Sequence, residues 1–270
     1  MQKCLILVDG SGYLFRAFHA LPPLTNAEGV PTGAVYGVLN MLRRLEKMYP
    51  DCEVAVFFDP PGKTQRHDYF PEYKANRGSM PEDLAVQIQP LKDVIQAQGY
   101  PLHVVPGYEA DDVIATVARL CCEQGREVII STGDKDFAQL VSADITIVDT
   151  MYNKTYDREA VLKKFGVYPE QIVDYLALVG DTADNIPGVA KVGPKTAVKW
   201  LQSYGSVEGI IKNAAFISGK VGEYLRAAVK DLPLYKKLVQ IDQEVPLPFV
   251  YGDLVRGEQD YDALREHYAR

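Results

Sequence analysis

Short apolar runs that each break off near an aspartate set the frame for this chain. Leu5-Ile6-Leu7-Val8 is followed by Asp9, the run from Val54 to Phe58 by Asp59, and Val128-Ile129-Ile130 by Ser-Thr-Gly and then Asp134. Continuous apolar runs of this length suit strands buried on both faces of a parallel sheet. Segments with helical spacing lie between them. From Gly33 to Met48, the residues Val35, Val38, Leu39, Leu42 and Leu45 fall on one helix face. Pro81-Glu82-Asp83 opens a second helix with Leu84, Ile88, Leu91 and Ile95 inward, and Asp111 to Cys122 reads as a third. Leu102 to Val105 and Ile145 to Val148 add strands, with a helical turn or two at Phe137 to Val141. The alternation predicts an α/β domain with a mostly parallel central sheet flanked by helices. In such sheets ligands gather at the carboxyl ends of the strands, where the aspartates stand.

Past about Thr155 the pattern turns helical. Arg158 to Phe165, Pro169 to Val179 and Lys195 to Ser203 read as helices, with further helical segments through Leu238. Gln243 to Tyr251 is extended and contains proline, and Asp260 to Arg270 reads as a last helix. The expected division is an α/β domain over residues 1–165 and a helical region over 166–270. The chain is 47% hydrophobic and 24% charged, ordinary for a globular protein. No run approaches the length of a membrane span, and Cys4 to Val8 is too short for the core of a signal peptide. A cytoplasmic protein without a membrane partner is expected. Cys4, Cys52, Cys121 and Cys122 form no C-x-x-C pair and have no accompanying His cluster, so neither a zinc site nor a disulfide framework is expected.

Acids cluster beyond the three strand ends. Glu109-Ala110-Asp111-Asp112 opens a helix, where one or two acids complement the helix dipole. Three acids within four residues repel one another unless a cation sits among them. Gly133-Asp134-Lys135-Asp136 adds a pair, and Asp181 with Asp184 adds another at i, i+3. Each pair alone also fits turn or capping roles. An all-oxygen set suits Mg2+ or Mn2+, and two such ions about 4 Å apart can activate water and clamp a phosphate.

Basic residues are local, against a net charge of −7. Lys63, Arg66, Lys74 and Arg77 lie between Gly62 and Gly78, and Lys191, Lys195 and Lys199 lie in a stretch from Asn185 to Val207 that has no acid. If helical, Lys74 and Arg77 share a face. They suit charge stabilisation on a phosphoryl group, with Tyr73 suited to stack on an unpaired base. An ordinary solvated helix face explains that segment equally well. Arg16 follows the first strand by about one helical turn, placed to meet phosphate or to be simply exposed. The Gly-rich run Ile186 to Ala197, with Gly188, Gly193 and Thr196, leads into a helix and would present backbone N–H groups to an anion. It lacks the spacing of a Walker loop.

The segments LVDGSGYLFRAF, FFDPPGKTQRHDYFPEYKANR, MPEDL, GYEADDVIAT, STGDKDFAQLV, LVGDTADNIPGV and VGPKTA occur in this order from residue 3 to about residue 205. Together they resemble the 5′-nuclease domain at the N-terminus of bacterial DNA polymerase I, in the flap-endonuclease superfamily. The resemblance implies a PIN-like fold and structure-specific 5′ nuclease activity on DNA with a 5′ flap, nick or 5′ end, and on RNA–DNA primer strands, in replication and repair. It implies Asp9, Asp59, Glu109, Asp111 and Asp112 around a first metal, and Asp134, Asp136, Asp181 and Asp184 around a second. Mg2+ is the implied metal, with Mn2+ as substitute. Arg16, Tyr73, Lys74 and Arg77 match residues that meet the 5′ strand, and residues 63–81 match an arch through which a flap passes. Residues 183–204 match the H3TH (helix-hairpin-helix-like) segment, which grips duplex DNA and in the family often holds K+. Lys63, Arg66, Gly188, Lys191, Gly193, Lys195, Thr196 and Lys199 are the expected DNA contacts. Lys191 departs from the pattern, standing where the hairpin has its second glycine. A C-terminal polymerase segment is an implied partner if the chain is a piece of a longer protein. The alternative reading is a flap- or junction-binding module without catalysis. A small-molecule aspartyl-phosphate enzyme fits less well, because Asp9 is followed by Gly10 and Ser11, not by D-x-D.

Overall fold

Strand alternation at the N-terminus decides how both sides of the molecule are built. In the strand Leu5–Asp9 (β1), Leu5 and Leu7 face one core while Ile6 and Val8 face another. The computed structural model describes residues 4–269. After β1 come Gly10–Ala20 (α1), Gly33–Met48 (α2), Glu53–Phe57 (β2), Arg66–Tyr69 (α3), Glu82–Ala97 (α4), Leu102–His103 (β3), Ala110–Glu123 (α5) and Val128–Ser131 (β4). Ile145–Asp149 (β5), Lys154–Tyr156 (β6) and Arg158–Phe165 (α6) complete the sheet and its last flanking helix. Then follow Ile172–Val179 (α7), Pro194–Tyr204 (α8), Val207–Lys212 (α9), Gly219–Ala228 (α10), Leu232–Val239 (α11) and Tyr261–Ala269 (α12). The expected last residue of α12, Arg270, lies outside the described residues.

The sheet runs β3-β2-β1-β4-β5-β6, parallel except for β6. Ile6 stands between Val54 of β2 and Ile129 of β4. Connections leave β1 in one direction toward β2 and β3, and later return to β4 and β5 on its other side. The reversal opens a crevice at the carboxyl ends of β1 and β4, the usual ligand position in such sheets. Helices α1, α2 and α4 cover the Ile6/Val8 face through Leu14, Val38, Leu42, Leu91 and Ile95. On the Leu5/Leu7 face, α5 packs through Val113, Ile114 and Val117, and the same core runs on into Ile172, Leu176, Leu178, Trp200 and Leu201. Among the described residues no helix is long and apolar enough to cross a membrane.

Three features differ from the sequence reading. Strand β6 is short and polar, Lys-Thr-Tyr, and pairs antiparallel to β5 with Ile147 opposite Tyr156; nothing in its pattern signals a strand. Strand β3 stops at His103, whose ring stacks on Phe249 at 4.0 Å as the C-terminal segment folds over this end of the sheet. Finally, Cys4 and Cys52 form a disulfide, which corrects the expectation of none. The cause is register: Leu5 pairs with Glu53, so the residues immediately before them also stand side by side, with Cα atoms 4.7 Å apart.

Candidate active site

Asp9 closes β1 and caps α1. Its Oδ1 accepts from the Gly12 backbone N–H at 2.7 Å, and its Oδ2 accepts from Thr132 Oγ1 at 2.8 Å. Position 12 must be glycine here, since a Cβ would lie 2.1 Å from Asp9 Oδ2. Thr132 also accepts from the Asp134 N–H at 3.0 Å, so one hydroxyl orients two strand-end acids. Asp59 follows β2. Its N–H donates to Ser11 Oγ at 2.9 Å, and its Oδ1 accepts from the Ala110 N–H at 2.8 Å. That bond ties the end of β2 to the first turn of α5, which carries Asp111.

Asp9, Asp59, Asp111 and Asp134 line one cleft of about 770 Å³, together with Ser11, Phe15, Lys74 and Arg77. Their proximity shows in their titration. Burial pushes Asp9 up to about 7, and the Asp59 and Asp134 carboxylates push the same way. Burial, then Asp134, Asp9 and Asp59, hold Asp111 well above the ordinary carboxylate range. A second group continues from Asp134. Asp136 is raised well above its usual value by burial, then by Asp134, Asp181 and Asp184. Its Oδ1 is buried without a hydrogen-bond partner. Asp181 binds Lys135 Nζ at 2.6 Å. Asp184 accepts from Arg77 Nη2 at 2.6 Å and from Tyr73 OH at 3.0 Å.

Comparison with known proteins agrees with this arrangement. Residues 4–166 match the family model for the 5′–3′ exonuclease N-terminal resolvase-like domain, and residues 167–262 match that for the 5′–3′ exonuclease C-terminal SAM fold. The chain belongs to the 5′–3′ exonuclease family. The 5′–3′ exonuclease of Aquifex aeolicus is 43% identical over 98% of this chain and 91% of its own length. The DNA polymerase I of Pseudomonas aeruginosa is 50% identical over 97% of the chain, which spans 30% of that protein. Among solved structures, a flap endonuclease of bacteriophage T5 in a complex with DNA and metal ions superposes with a TM-score of 0.73, at 25% identity over 89% of each chain.

Within this exonuclease fold, several residues lie apart from where the sequence reading put them. Asp112 is fully buried and points away from the cleft. It takes Arg66 in a bidentate pair, at 2.6 Å from Nη1 and 2.7 Å from Nη2, and accepts from the Asp242 N–H. Arg66, 3% exposed, also donates to the carbonyls of Leu238 and Gln240 and to Glu109. Both expectations are therefore corrected: Asp112 meets Arg66, which it shares with Glu109, and does not line the cleft with the strand-end acids, and Arg66 does not face solvent where DNA would lie. Tyr73 is 3% exposed, with its hydroxyl on Glu109 and Asp184, so it offers no face to a base. Gly188 is buried with φ 64°, and a Cβ there would stand 2.4 Å from the Gly180 nitrogen. Its role is close backbone packing, not DNA contact. Arg16 binds Asp149 at 2.8 Å and lies against Gly133, supporting the loop that carries Asp134.

The remaining basic residues are accessible. Lys63, Lys191, Lys195 and Lys199 are exposed, while Thr196 and Gly193 are half-buried at the start of α8. Lys191 adopts the left-handed conformation, φ 61°, that the glycine of the hairpin pattern would take without strain. Glu109 sits under the basic cluster. Burial works against its charge, but Lys74 at 2.7 Å and Arg66 at 3.2 Å hold its carboxyl below the usual value. Sequence reading missed Thr132, Ser11, Asn76 and Asn185. The first two flank acids in Ser-Thr-Gly-Asp and Asp-Gly-Ser, a spacing that local hydrogen bonds to carboxylates would have flagged.

The acid set fits hard divalent cations. It is all oxygen, its members raise one another's proton affinity, and Asp136 keeps an unpaired buried oxygen. Among the described residues no three His, Cys, Asp or Glu side chains stand close enough together to hold a metal ion as they are placed.

Proposed function

We propose that this chain is a structure-specific 5′ nuclease, a 5′–3′ exonuclease and flap endonuclease that hydrolyses phosphodiester bonds at flaps, nicks and 5′ ends of duplex DNA. The observation that carries this reading is the convergence of Asp9, Asp59, Asp111 and Asp134 in one cleft with Lys74 and Arg77 at its edge. Mg2+ is the proposed ion. Asp9, Asp59, Asp111 and Asp134 would hold one cation, and Asp134, Asp136, Asp181 and Asp184 a second. When bound, the cations supply Lewis acidity to the phosphodiester and acidify the attacking water. The other steps belong to the chain. Lys191, Lys195 and Lys199 meet the duplex backbone without reading sequence. Lys74 and Arg77 exchange Glu109 and Asp184 for phosphate oxygens and offset the charge that builds there. Thr132 and Ser11 hold the strand-end acids in place throughout.

A labelled 5′-flap duplex, incubated with protein in Mg2+ or in EDTA and resolved on a denaturing gel, tests the proposal. Shortened product in Mg2+ alone is expected. Asp134→Ala and Asp181→Ala should each abolish cutting while a gel-shift assay still shows DNA binding. Binding without cutting by the parent protein would instead make this a flap-recognition module.

A further inference from the structure

Lys74 and Arg77 reach the cleft from a segment that has no helix to hold it. Residues 71–76 run through consecutive turns, and Lys74 has φ 56°. The left-handed conformation costs a residue with a Cβ roughly 1–2 kcal/mol. Contacts from outside the segment must fix it; beside Glu109, which takes the Tyr73 hydroxyl and the Lys74 ammonium, they come from residues 182–185. Asn185 Nδ2 donates to the Glu72 carbonyl at 2.8 Å, and Asn76 Nδ2 donates back to the Thr182 carbonyl at 2.5 Å. Between these bonds the Lys74 N–H donates to the Asp184 carbonyl at 3.1 Å, and Arg77 Nε donates to the Ala183 carbonyl at 3.2 Å. Asn185 is itself left-handed, φ 59°, a conformation that asparagine adopts more readily than most residues. The result is a reciprocal amide clasp between two turns, each with a left-handed residue beside it.

The turn that supplies the clasp also carries Asp181 and Asp184. We propose that Asn185 and Asn76 are positioning residues for phosphodiester hydrolysis, clasping residues 72–77 to this turn so that Lys74 and Arg77 stay at the edge of the acid cleft. The substrate in this inference rests on the nuclease reading, whereas the clasp is a property of the chain alone. Asn185 does not line the cleft and Asn76 does, but each amide N–H is taken up by a carbonyl of the opposite turn. They act by restricting long side chains that would otherwise sample many rotamers before meeting a phosphate. They also join the acids on the 181–184 turn to the cations that must approach the same phosphate, so the two move as a unit.

Asn185→Gly keeps a backbone that accepts positive φ and removes the amide donor; Asn76→Ala removes the other donor from an exposed position. The double variant of the full chain is compared with the parent on a 5′-flap duplex in Mg2+. Single-turnover cleavage should fall about tenfold or more, with flap-duplex Kd in EDTA changed by less than about threefold. Trypsin should cut after Lys74 and Arg77 faster in the double variant, with neither metal nor DNA present. In a Lys74→Ala, Arg77→Ala background the amide substitutions should cost no further cleavage, since residues that act through a missing group have nothing left to lose. Cleavage within about twofold of the parent overturns the proposal, as does an unchanged trypsin rate or a full additional loss in the background variant. A parent protein that fails to cut flap DNA sinks the nuclease reading instead, and the trypsin comparison then judges the clasp by itself.

Discussion

Arg66 offers a sharp test, because two readings of it predict opposite results. As a DNA contact on an arch, its loss would weaken DNA binding and leave folding alone. The structure instead buries it, at the start of α3, against α5 and the C-terminal end of α11, with five donor bonds to Asp112, Glu109 and the carbonyls of Leu238 and Gln240. Arg66→Met keeps the length of the side chain and removes the charge. Asp112, fully buried, is then left with the Asp242 N–H as a remaining partner for its Oδ1. Breaking a buried pair in this way costs about 3–5 kcal/mol. At about 2–4 °C per kcal/mol for a chain of this size class, the midpoint of thermal unfolding should drop by roughly 6–20 °C. Arg66→Met combined with Asp112→Leu removes the uncompensated charge and should recover part of the loss. Glu109 keeps Lys74 and Tyr73, but the Leu238 and Gln240 carbonyls lose the guanidinium that donated to them, so a deficit of about 1–3 kcal/mol should remain. Differential scanning calorimetry on the three variants reads these shifts, and a gel shift on flap DNA reads binding. An Arg66→Met protein as stable as the parent but weaker on DNA would refute the buried-pair argument.

Three further outcomes follow from the same geometry. Asp9 has a folded pKa of about 7, above its ordinary 3.8, so the metal-free native state holds a proton that the unfolded chain releases. Its contribution to stability is fully present at acid pH and is lost as pH rises toward 7; Asp111, Asp134 and Asp136 shift the same way. The unfolding midpoint in EDTA should therefore fall between about pH 4 and pH 7, and Mg2+ should raise it more at the higher pH; a midpoint that rises over that interval would contradict the acid-cluster electrostatics. Gly133→Ala would place a Cβ 2.1 Å from Arg16 Nη1. The strain should cost about 1–3 kcal/mol in a denaturant titration and lower the cleavage rate by shifting the Asp134 loop; wild-type behaviour would mean Arg16 can move aside freely. Reducing Cys4–Cys52, which closes a separation of 48 residues, should cost about 4 kcal/mol of stability by loop entropy. Cleavage should be unchanged, since the pair lies at the amino ends of β1 and β2, and Cys52→Ala should make the midpoint insensitive to reductant.

What could be read in the sequence was local, and what could not was a matter of direction or register. Asp9, Asp59 and Asp134 were visible because strand ends in a parallel sheet point the same way, whatever the strand order. The group Glu109, Asp111 and Asp112 looked like one ligand set, yet neighbouring helix residues do not face each other. Once Asp111 turns to the cleft, Asp112 must turn into the core, where only a cation can neutralise it; Arg66 supplies that cation from α3. Helical spacing does not relate Lys74 to Arg77, since turns with a positive φ at Lys74, and no helix, carry both to the cleft lining. The disulfide depended on the one-residue register of β1 against β2, and the clasp depended on two asparagines that sequence alone marks as ordinary turn residues.

The change of pattern near residue 165 marks a change of architecture but not an end of packing. Ile172, Leu176 and Leu178 of α7 and Trp200 of α8 belong to the same buried cluster as Leu5, Leu7 and Ile114. The Asp181–Asp184 turn leaves directly from α7, through Gly180, whose φ of 78° redirects the chain. Its placement is thus set by a core that also contains β1, the strand ending in Asp9. Cores of this density resist small displacements, so the two groups of acids are held relative to each other by apolar packing and not by their own mutually repulsive charges. This resolves the tension between a net charge of −7 and a role on DNA. The excess acid gathers in the cleft, and the exposed lysines at positions 191, 195 and 199 stand in a stretch free of acids, which suits them to the proposed contact with a phosphate backbone.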